Sequence, residues 1–257
     1  MPGLLGIVSA EPKARVEPRF RAVLQRMRGA ARTHRETFVS PDGRWALGRV
    51  HLGRLQPAPQ LGSSARVRVL FHGDLHNRAQ LRATLEHDRV DVAPGDAALV
   101  SALYERHGHD AWPRLRGAFC AVVLDEDNAR VVLVSDEIGS YPVYWFTDDE
   151  GLAFASELHA LLAAHPAPML DLDTVATMAS VGFPFGEGTL AAGVRLMAPA
   201  SAVTWDWRTG QATTSRYTDL GARFRQDSLP RPEYERLLVE RFSEAMDHAV
   251  DGGDGFG

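Results

Sequence analysis

The sequence predicts an α+β fold, a sandwich of β-sheets covered by helices. Residues 116–145 support this first, because two nearly continuous apolar runs at 118–124 and 130–134 flank a short acidic turn. Such a pair is typical of a β-hairpin, and its continuous apolarity indicates that both faces are covered. The order of elements supports it as well, since strands come in groups with pairs of helices between them rather than in βαβ alternation.

Strands are expected where short β-rich runs lie between turn signals. Gly139 and Pro142 end the second strand of the hairpin, and a third strand is expected to start beside it at 143–146. Residues 55–64 contain three glycine or proline breaks and are predicted to form a loop. The other predicted strands cover residues 4–9, 45–50, 67–71, 151–155, 194–196 and 202–207.

Helices are expected where apolar residues recur at helical spacing behind a capping residue. The basic stretch 13–35 is interpreted as a solvated helix over a sheet, in preference to a site for nucleic acid or a leader peptide. Asn77 and Asp96 are expected to cap the next two helices. The later predicted helices begin at Ser156 and cover residues 172–181 and 233–250.

The composition excludes several classes of function. The 257 residues carry a net charge of −5, which gives no general attraction to nucleic acid or an anionic membrane. No apolar stretch approaches the ~20 residues that span a bilayer, and no basic segment of a signal peptide precedes the first strand. Cys120 is the only cysteine, so neither a disulfide framework nor a CxxC metal site is expected. We therefore expect a cytoplasmic protein with no metal bound by this chain.

Several motifs follow one another in an order that resembles a known family. They are Phe71-His72-Gly73-Asp74-Leu75-His76-Asn77, Gly95-Asp96-Ala97-Ala98, Gly117-Ala118-Phe119, Asp136-Glu137-Ile138-Gly139-Ser140-Tyr141-Pro142 and GLAFASELHALLA at 151–163. This order resembles the N-terminal glutaminase domain of asparagine synthetases, a class II glutamine amidotransferase domain. The resemblance covers about residues 4–220. It implies an N-terminal-nucleophile (Ntn) hydrolase-like αββα sandwich of two antiparallel sheets between helix layers.

The catalytic nucleophile of that family has no counterpart here. The family begins Met-Cys-Gly-Ile, and the α-amine of the exposed cysteine activates its thiol to attack the glutamine amide. Leu5-Gly6-Ile7 occupies this pattern, so leucine stands at the nucleophile position. Cys120 lies in the middle of a predicted strand, where a buried structural role is expected. We therefore predict that no residue catalyses glutamine hydrolysis and that the glutaminase is inactive.

The residues that would bind glutamine are also altered, and we interpret them as a vestigial pocket. The family's carboxylate-binding arginine aligns with His51, and its oxyanion-hole asparagine aligns with His72. The glutamate that stands two residues after this asparagine aligns with Asp74. An imidazole does not replace a bidentate guanidinium. Gly73 and Asp96 match the family, where the aspartate holds the substrate's amine. A plain helix N-cap is an equally weighted role for Asp96.

The resemblance also implies a domain organisation. Residues 1–220 correspond to the degenerate amidotransferase domain. Residues 221–257 correspond to a linker and the start of a C-terminal asparagine-synthetase-like ATP-binding domain that is not in this chain. The family's S-G-G-x-D-S motif is absent, and Gly252-Gly253-Asp254 is interpreted as part of a flexible end. ATP and Mg²⁺ are expected only for the missing domain.

Three functions remain open from the sequence. The first is the N-terminal part of an ATP-dependent amide-forming ligase, of the type of lasso-peptide macrolactam cyclases or β-lactam synthetases. Those enzymes adenylate a carboxylate that an amine of the same substrate then attacks. Its partners would be the C-terminal synthetase domain and a small-molecule or peptide substrate. The second is a non-catalytic scaffold or binding domain, in which His51, His72 and His76 form a new ligand or metal site. The third is an asparagine synthetase that uses glutamine or ammonia.

Overall fold

A computed structural model of the chain describes residues 3–11, 16–27, 33–53, 61–63, 67–219, 221–223 and 229–250. In chain order the strands and α-helices are β1 (Gly3–Val8), α1 (Val16–Arg26), β2 (His34–Val39), β3 (Trp45–His51), β4 (Leu61–Ser63), β5 (Val67–Leu75), α2 (Arg78–His87), α3 (Asp96–His107), β6 (Gly117–Asp125), β7 (Arg130–Ser135), β8 (Tyr144–Asp148), β9 (Gly151–Ala155), α4 (Leu158–Leu161), α5 (Leu172–Val181), β10 (Arg195–Leu196), β11 (Ser201–Asp206), β12 (Gln211–Arg216) and α6 (Arg231–Val250). Short 3₁₀ helices follow α3 and β12, at Gly108–Arg114 and Gly221–Arg223.

The described strands form two six-stranded sheets. The first has the order β10-β8-β9-β1-β3-β2, and the second has the order β12-β11-β7-β6-β5-β4. The pairings on both sides of β1 and of β6 are antiparallel. The predicted sandwich of antiparallel sheets with helices outside it is therefore confirmed.

Alternating side chains divide the core into three layers, as the pleat of a strand requires. In β1, Leu4 and Val8 face the layer between the sheets, whereas Leu5 and Ile7 face the layer under α1 and α4. In β6, the even-numbered residues from Cys120 to Leu124 fill the layer between the sheets, and the odd-numbered residues from Phe119 to Val123 pack under α2 and α3. Because both faces are covered, the strands read as continuous apolar runs.

The single helix predicted for 13–35 is wrong in extent. Helix α1 covers Val16–Arg26, and Phe20, Val23 and Met27 are buried on the predicted face. Residues 34–39 form the edge strand β2, in which exposed and half-buried side chains alternate. A polar edge strand has no apolar run to reveal it. The remaining parts of the prediction, 13–15 and 28–32, lie outside the described residues.

Two strand predictions are corrected by the tertiary contacts. Residues 61–63 pair with β5 as strand β4 instead of forming part of a loop. Strand β8 belongs to the first sheet, beside β9, and does not extend the central hairpin. The Asp136 carboxylate explains the change of sheet, because it accepts the backbone N–H groups of Phe119, Ile138 and Ser140 and turns the chain away.

Two of the three later helices match their predictions, whereas the helix expected from Ser156 is short and covers only Leu158–Leu161. Helix α5 has the predicted bounds, and α6 begins two residues before the predicted start. The large apolar side chains of α6 are exposed: Tyr234, Leu238, Val239, Phe242 and Met246. Most of the linker expected at 220–229, and Gly252-Gly253-Asp254, lie outside the described residues, so the domain boundary stays a prediction. Among the described helices, none combines the length and apolarity needed to cross a membrane.

Candidate functional site

Leu5 lies inside β1, one of the two central strands of the first sheet. It pairs with Gly48 on one side and Ala155 on the other, and its side chain is fully buried. The strand starts two residues earlier, and the Leu4 N–H donates to Ser156 Oγ at 2.9 Å. The nitrogen of residue 5 is therefore a peptide nitrogen within a sheet, and its side chain is a hydrocarbon that packs under α1.

His51 ends β3 and already has two polar partners. Its Nε2 lies 3.2 Å from Glu36 Oε1, and its Nδ1 accepts the Gly53 N–H at 3.1 Å. The Glu36 carboxylate also receives two hydrogen bonds from the buried Arg49, at 2.9 and 3.1 Å. Burial lowers the pKa of His51, and the Arg49 charge lowers it further. A neutral His51 therefore donates from Nε2 to Glu36, and its Nδ1 already accepts a hydrogen bond from the Gly53 N–H.

His72 lies in the middle of β5, opposite Cys120, and is almost completely buried. The Tyr141 ring meets it edge-on with 4.7 Å between ring centres. Burial lowers the pKa of His72 to about 4, with smaller contributions from the charges of Arg49 and His51. Among the described residues, none forms a hydrogen bond with His72 Nδ1. This position therefore holds an uncharged imidazole beneath a tyrosine.

Gly73 has a structural reason to be glycine. Its φ is +122°, and a Cβ atom built there would lie 2.1 Å from the Ala118 carbonyl oxygen. A side chain would therefore clash with the backbone of β6, which β5 pairs with at this point. The match of Gly73 to the family follows from the sheet alone and requires no catalytic role.

Asp96 and Asp74 meet on one guanidinium, that of Arg78. Arg78 Nε and Nη2 donate to the two oxygens of Asp96 at 2.5 and 2.8 Å, and Nη2 also pairs with Asp74. The capping role predicted for Asp96 is wrong, because Gly95 precedes the helix and Asp96 is its first residue. Its carboxylate binds Arg78 instead of a backbone N–H group of its own helix.

Asn77 precedes α2, as predicted, but its side chain does not cap the helix. The side-chain amide donates to the Arg114 carbonyl and accepts the Arg116 N–H, both at 3.0 Å. These two bonds attach the start of α2 to the segment that leads into β6. The first turn of α2, which carries Arg78, is thereby fixed on the sheet.

The structure brings some of the predicted residues together and leaves others apart. His51 and His72 are close enough for a charge on His51 to lower the pKa of His72. His76 lies in the turn before α2, and across the described ranges no three His, Cys, Asp or Glu side chains form a group that could hold a metal ion. Glu137 of the Asp136–Pro142 motif lies 3.2 Å from Arg116, which compensates its charge.

The family described as "Glutamine amidotransferase domain" matches residues 1–218. This chain belongs to that family. The chain is 26% identical to asparagine synthetase [glutamine-hydrolyzing] 1 of Bacillus subtilis over 137 residues, which are 53% of this chain and 22% of that protein. It is 29% identical to asparagine synthetase [glutamine-hydrolyzing] 2 of the same organism over 108 residues, 42% of this chain and 14% of that protein. The chain thus spans less than a quarter of these relatives.

The solved structures agree on the fold of this amidotransferase domain. The B. subtilis glutamine phosphoribosylpyrophosphate amidotransferase, in complex with ADP and GMP, superposes with a TM-score of 0.57 at 16% identity. The match covers 84% of this chain and 49% of that one. The predicted Ntn hydrolase-like sandwich and the relationship to the asparagine synthetase N-terminus are both confirmed.

Two residues that contact the predicted pocket residues, Glu36 and Arg78, are not predicted from the sequence. Asp74 and Arg78 are four residues apart, but Asp74 lies in β5 and Arg78 begins α2, so the helical i,i+4 rule does not predict their ion pair. No local pattern indicates the contact of Arg78 with Asp96, which lies 18 residues further along the chain. Glu36 lies in the polar edge strand, where a solvated role is the ordinary expectation.

A separate cavity of about 820 Å³ opens at the end of the first sheet. It is lined by Tyr144, Ser156, Glu157, Leu158, His159, Leu162, Pro168, Met169, Leu170, Leu190 and Ala191. None of the predicted pocket residues His51, His72, Gly73, Asp74 and Asp96 lies in that lining. Its side chains are predominantly apolar, and it meets β1 only through Ser156, which accepts the Leu4 N–H.

Proposed function

We propose that this chain is the glutaminase-inactive N-terminal domain of an asparagine-synthetase-like, ATP-dependent amide-forming ligase. One observation carries the proposal of inactivity: the nucleophile position of the family is occupied by Leu5, a hydrocarbon buried within a sheet. Attack on the glutamine amide requires an oxygen or sulfur atom that can form an acyl-enzyme. Leucine offers neither atom.

The one thiol of the chain does not replace the missing nucleophile. Cys120 lies in the dry layer between the sheets and is fully buried. Burial raises the pKa of its thiol far above the ordinary range, so the reactive thiolate is not formed. A glutamine molecule would also have no path to a sulfur atom in that layer.

The remaining glutamine contacts support the same proposal. A carboxylate-binding residue must present free, preferably charged, donors to its ligand. His51 is neutral, and its Nδ1 and Nε2 already contact Gly53 and Glu36. His72 is neutral too, and Tyr141 packs against its ring. The position of the family's arginine therefore has no donor left for a glutamine carboxylate.

The ligase part of the proposal rests on the family and on the length of its relatives. The two B. subtilis asparagine synthetases are each more than four times as long as the segment that aligns with this chain. A C-terminal synthetase domain would bind ATP and Mg²⁺ and adenylate a carboxylate. An amine of the same small-molecule or peptide substrate would then attack it, as in lasso-peptide cyclases and β-lactam synthetases. Such a reaction consumes no ammonia, so the glutaminase site would be free to lose its residues.

A non-catalytic binding domain is a second candidate, favoured by the apolar surface of two helices. Helix α5 has no buried residue, and the large apolar side chains of α6 are exposed. Soluble domains rarely expose extended apolar surface without a partner for it. The two functions are compatible, because an inactive amidotransferase domain could serve the synthetase domain as a scaffold.

Ammonia release from glutamine tests the inactivity. The B. subtilis asparagine synthetase 1 serves as the positive control, and both proteins are also treated with a glutamine-analogue electrophile. We expect no ammonia and no covalent adduct from this chain, and both from the control. Glutamine turnover by this chain would refute the proposal.

The ligase reaction is tested by ATP–pyrophosphate exchange in the natural gene product that contains this chain. Exchange that depends on a carboxylate with an internal amine is expected. Exchange that requires aspartate, with asparagine formed only when ammonia is added, would assign an ammonia-dependent asparagine synthetase instead. A gene product that ends near residue 257 and shows no exchange would leave only the binding function.

A further inference from the structure

We infer that Arg78 determines the ligand specificity of the vestigial pocket, because its guanidinium takes the place of a ligand's ammonium group against Asp96 and Asp74. This inference rests on the proposed function. The guanidinium of Arg78 is the reason why the pocket rejects α-amino acids although Asp96 is kept. Without Arg78, the pocket would accept a small organic ammonium ion.

The contact has the geometry of a bound ligand rather than of a surface ion pair. Two nearly parallel bonds, of 2.5 and 2.8 Å, join the guanidinium to both oxygens of Asp96. The Asp96 side chain is only 7% exposed, whereas the Arg78 side chain is 31% exposed. Bidentate, charge-assisted bonds to a buried carboxylate are among the strongest polar contacts in proteins. Most exposed ion pairs contribute little by comparison.

A buried carboxylate needs compensation from a cation or from several hydrogen bonds, since an uncompensated buried charge is strongly destabilising. For Asp96 the compensation comes from a cation, the Arg78 guanidinium. In this chain the partner is covalently attached. The hydrogen bonds of the Asp96 and Asp74 carboxylates raise the pKa of Arg78, so the partner is charged at every accessible pH. A free ammonium group would have to displace it from Asp96.

The backbone holds Arg78 in place for this role. Arg78 is the first residue of α2, and the preceding Asn77 is bonded to the Arg114 carbonyl and the Arg116 N–H. An attached group has an effective concentration in the millimolar range or above, so a free ammonium ligand must compete with Arg78 for Asp96. The pocket is therefore closed to ammonium groups by its own sequence, independently of the missing nucleophile.

Thermal unfolding with methylammonium chloride as the probe tests this inference, with sodium chloride at equal ionic strength as the reference. Four proteins are compared: the wild type, Arg78→Met, the double variant Arg78→Met/Asp96→Asn, and Arg82→Met. Arg82 lies one turn further along α2, and its guanidinium donates to the Val92 carbonyl rather than to a carboxylate. It is therefore a matched control for the loss of one helix arginine.

We expect methylammonium to raise the Tm of Arg78→Met saturably, by about 3–6 °C at ten times its Kd. The wild type, Arg82→Met and the double variant should show no saturable rise. An equal rise in wild type and Arg78→Met, or a rise in the double variant, would overturn the inference. So would a folded Arg78→Met that methylammonium does not stabilise.

If Arg78→Met does not fold, the wild type still tests the inference by NMR of the Arg78 Nε–H group. Its signal should not move on addition of methylammonium, and a saturable shift would show that ligands displace the guanidinium. The proposed function fails separately, through ammonia release from glutamine by the wild type. Arg78→Met should release none, since Leu5 is unchanged.

Discussion

Rebuilding the family's N-terminus tests the proposal that the glutaminase is inactive. The variant removes residues 1–4 and replaces Leu5 with cysteine, so that the cysteine is N-terminal. The truncation removes the pairs Gly3–Val50 and Leu4–Arg49, the buried Leu4 side chain and its hydrogen bond to Ser156. We expect this variant to be both unstable and inactive.

The expected loss of stability follows from these contacts. Loss of the buried Leu4 side chain costs about 2–4 kcal/mol, and the smaller cysteine at position 5 costs about 2 kcal/mol. The lost hydrogen bond adds about 1 kcal/mol. The total of about 5–7 kcal/mol equals the lower part of the 5–15 kcal/mol that stabilises an ordinary domain, and it should appear as a large fall in the midpoint of urea unfolding.

Activity should remain absent for a different reason. His51 gives no charged donor to the glutamine carboxylate, and Arg78 occupies Asp96. Ammonia release is measured at a temperature where the variant is folded, beside the full-length Leu5→Cys protein, in which the thiol has no α-amine. A truncated variant that folds with nearly wild-type stability and releases ammonia at the rate of an ordinary glutaminase would refute this reasoning.

Two further predictions concern stability. Gly73→Ala should lower the free energy of unfolding by about 3 kcal/mol or more, because its Cβ would meet the Ala118 oxygen. Gly95→Ala, also at positive φ but with nothing within 4 Å of its Cβ, should cost less, about 1–3 kcal/mol from backbone strain alone. Equal losses in urea unfolding would contradict this. The lowered pKa of His72, about 4 in the folded protein, means that the unfolded chain binds its proton first, so stability should fall as pH drops below about 6.5, by about 3 kcal/mol at pH 4. His72→Asn should show a smaller fall over that range, and an unchanged pH profile would contradict the assignment.

The fold was largely accessible from the sequence because its signals are local. Continuous apolar runs marked the hairpin of β6 and β7, and helical periodicity marked α5 with its observed bounds. The order of motifs indicated the family. The edge strands β2 and β4 were not predicted, since a polar or very short strand at a sheet edge is defined by its hydrogen-bonding partner and not by its own residues.

The candidate site was accessible only in part. The residue types at positions 5, 51, 72, 74 and 96 could be assigned from motif order. Their partners could not, because each is supplied by another element: Glu36 from β2 for His51, and Tyr141 from the loop after β7 for His72. Asp96 illustrates the difference, since an N-cap and an ion pair with Arg78 are equally compatible with its position in the sequence.

The sequence by itself determined the chemistry that is missing, because a leucine at position 5 and a single cysteine are facts of covalent structure that no fold changes. The tertiary structure alone decided the burial and the contacts of the side chains at the predicted site. It buried Leu5 and Cys120, paired His51 with Glu36, and set Arg78 against Asp96. Such pairings depend on packing between elements distant in the chain, and a buried charge takes whichever counter-charge that packing brings within reach.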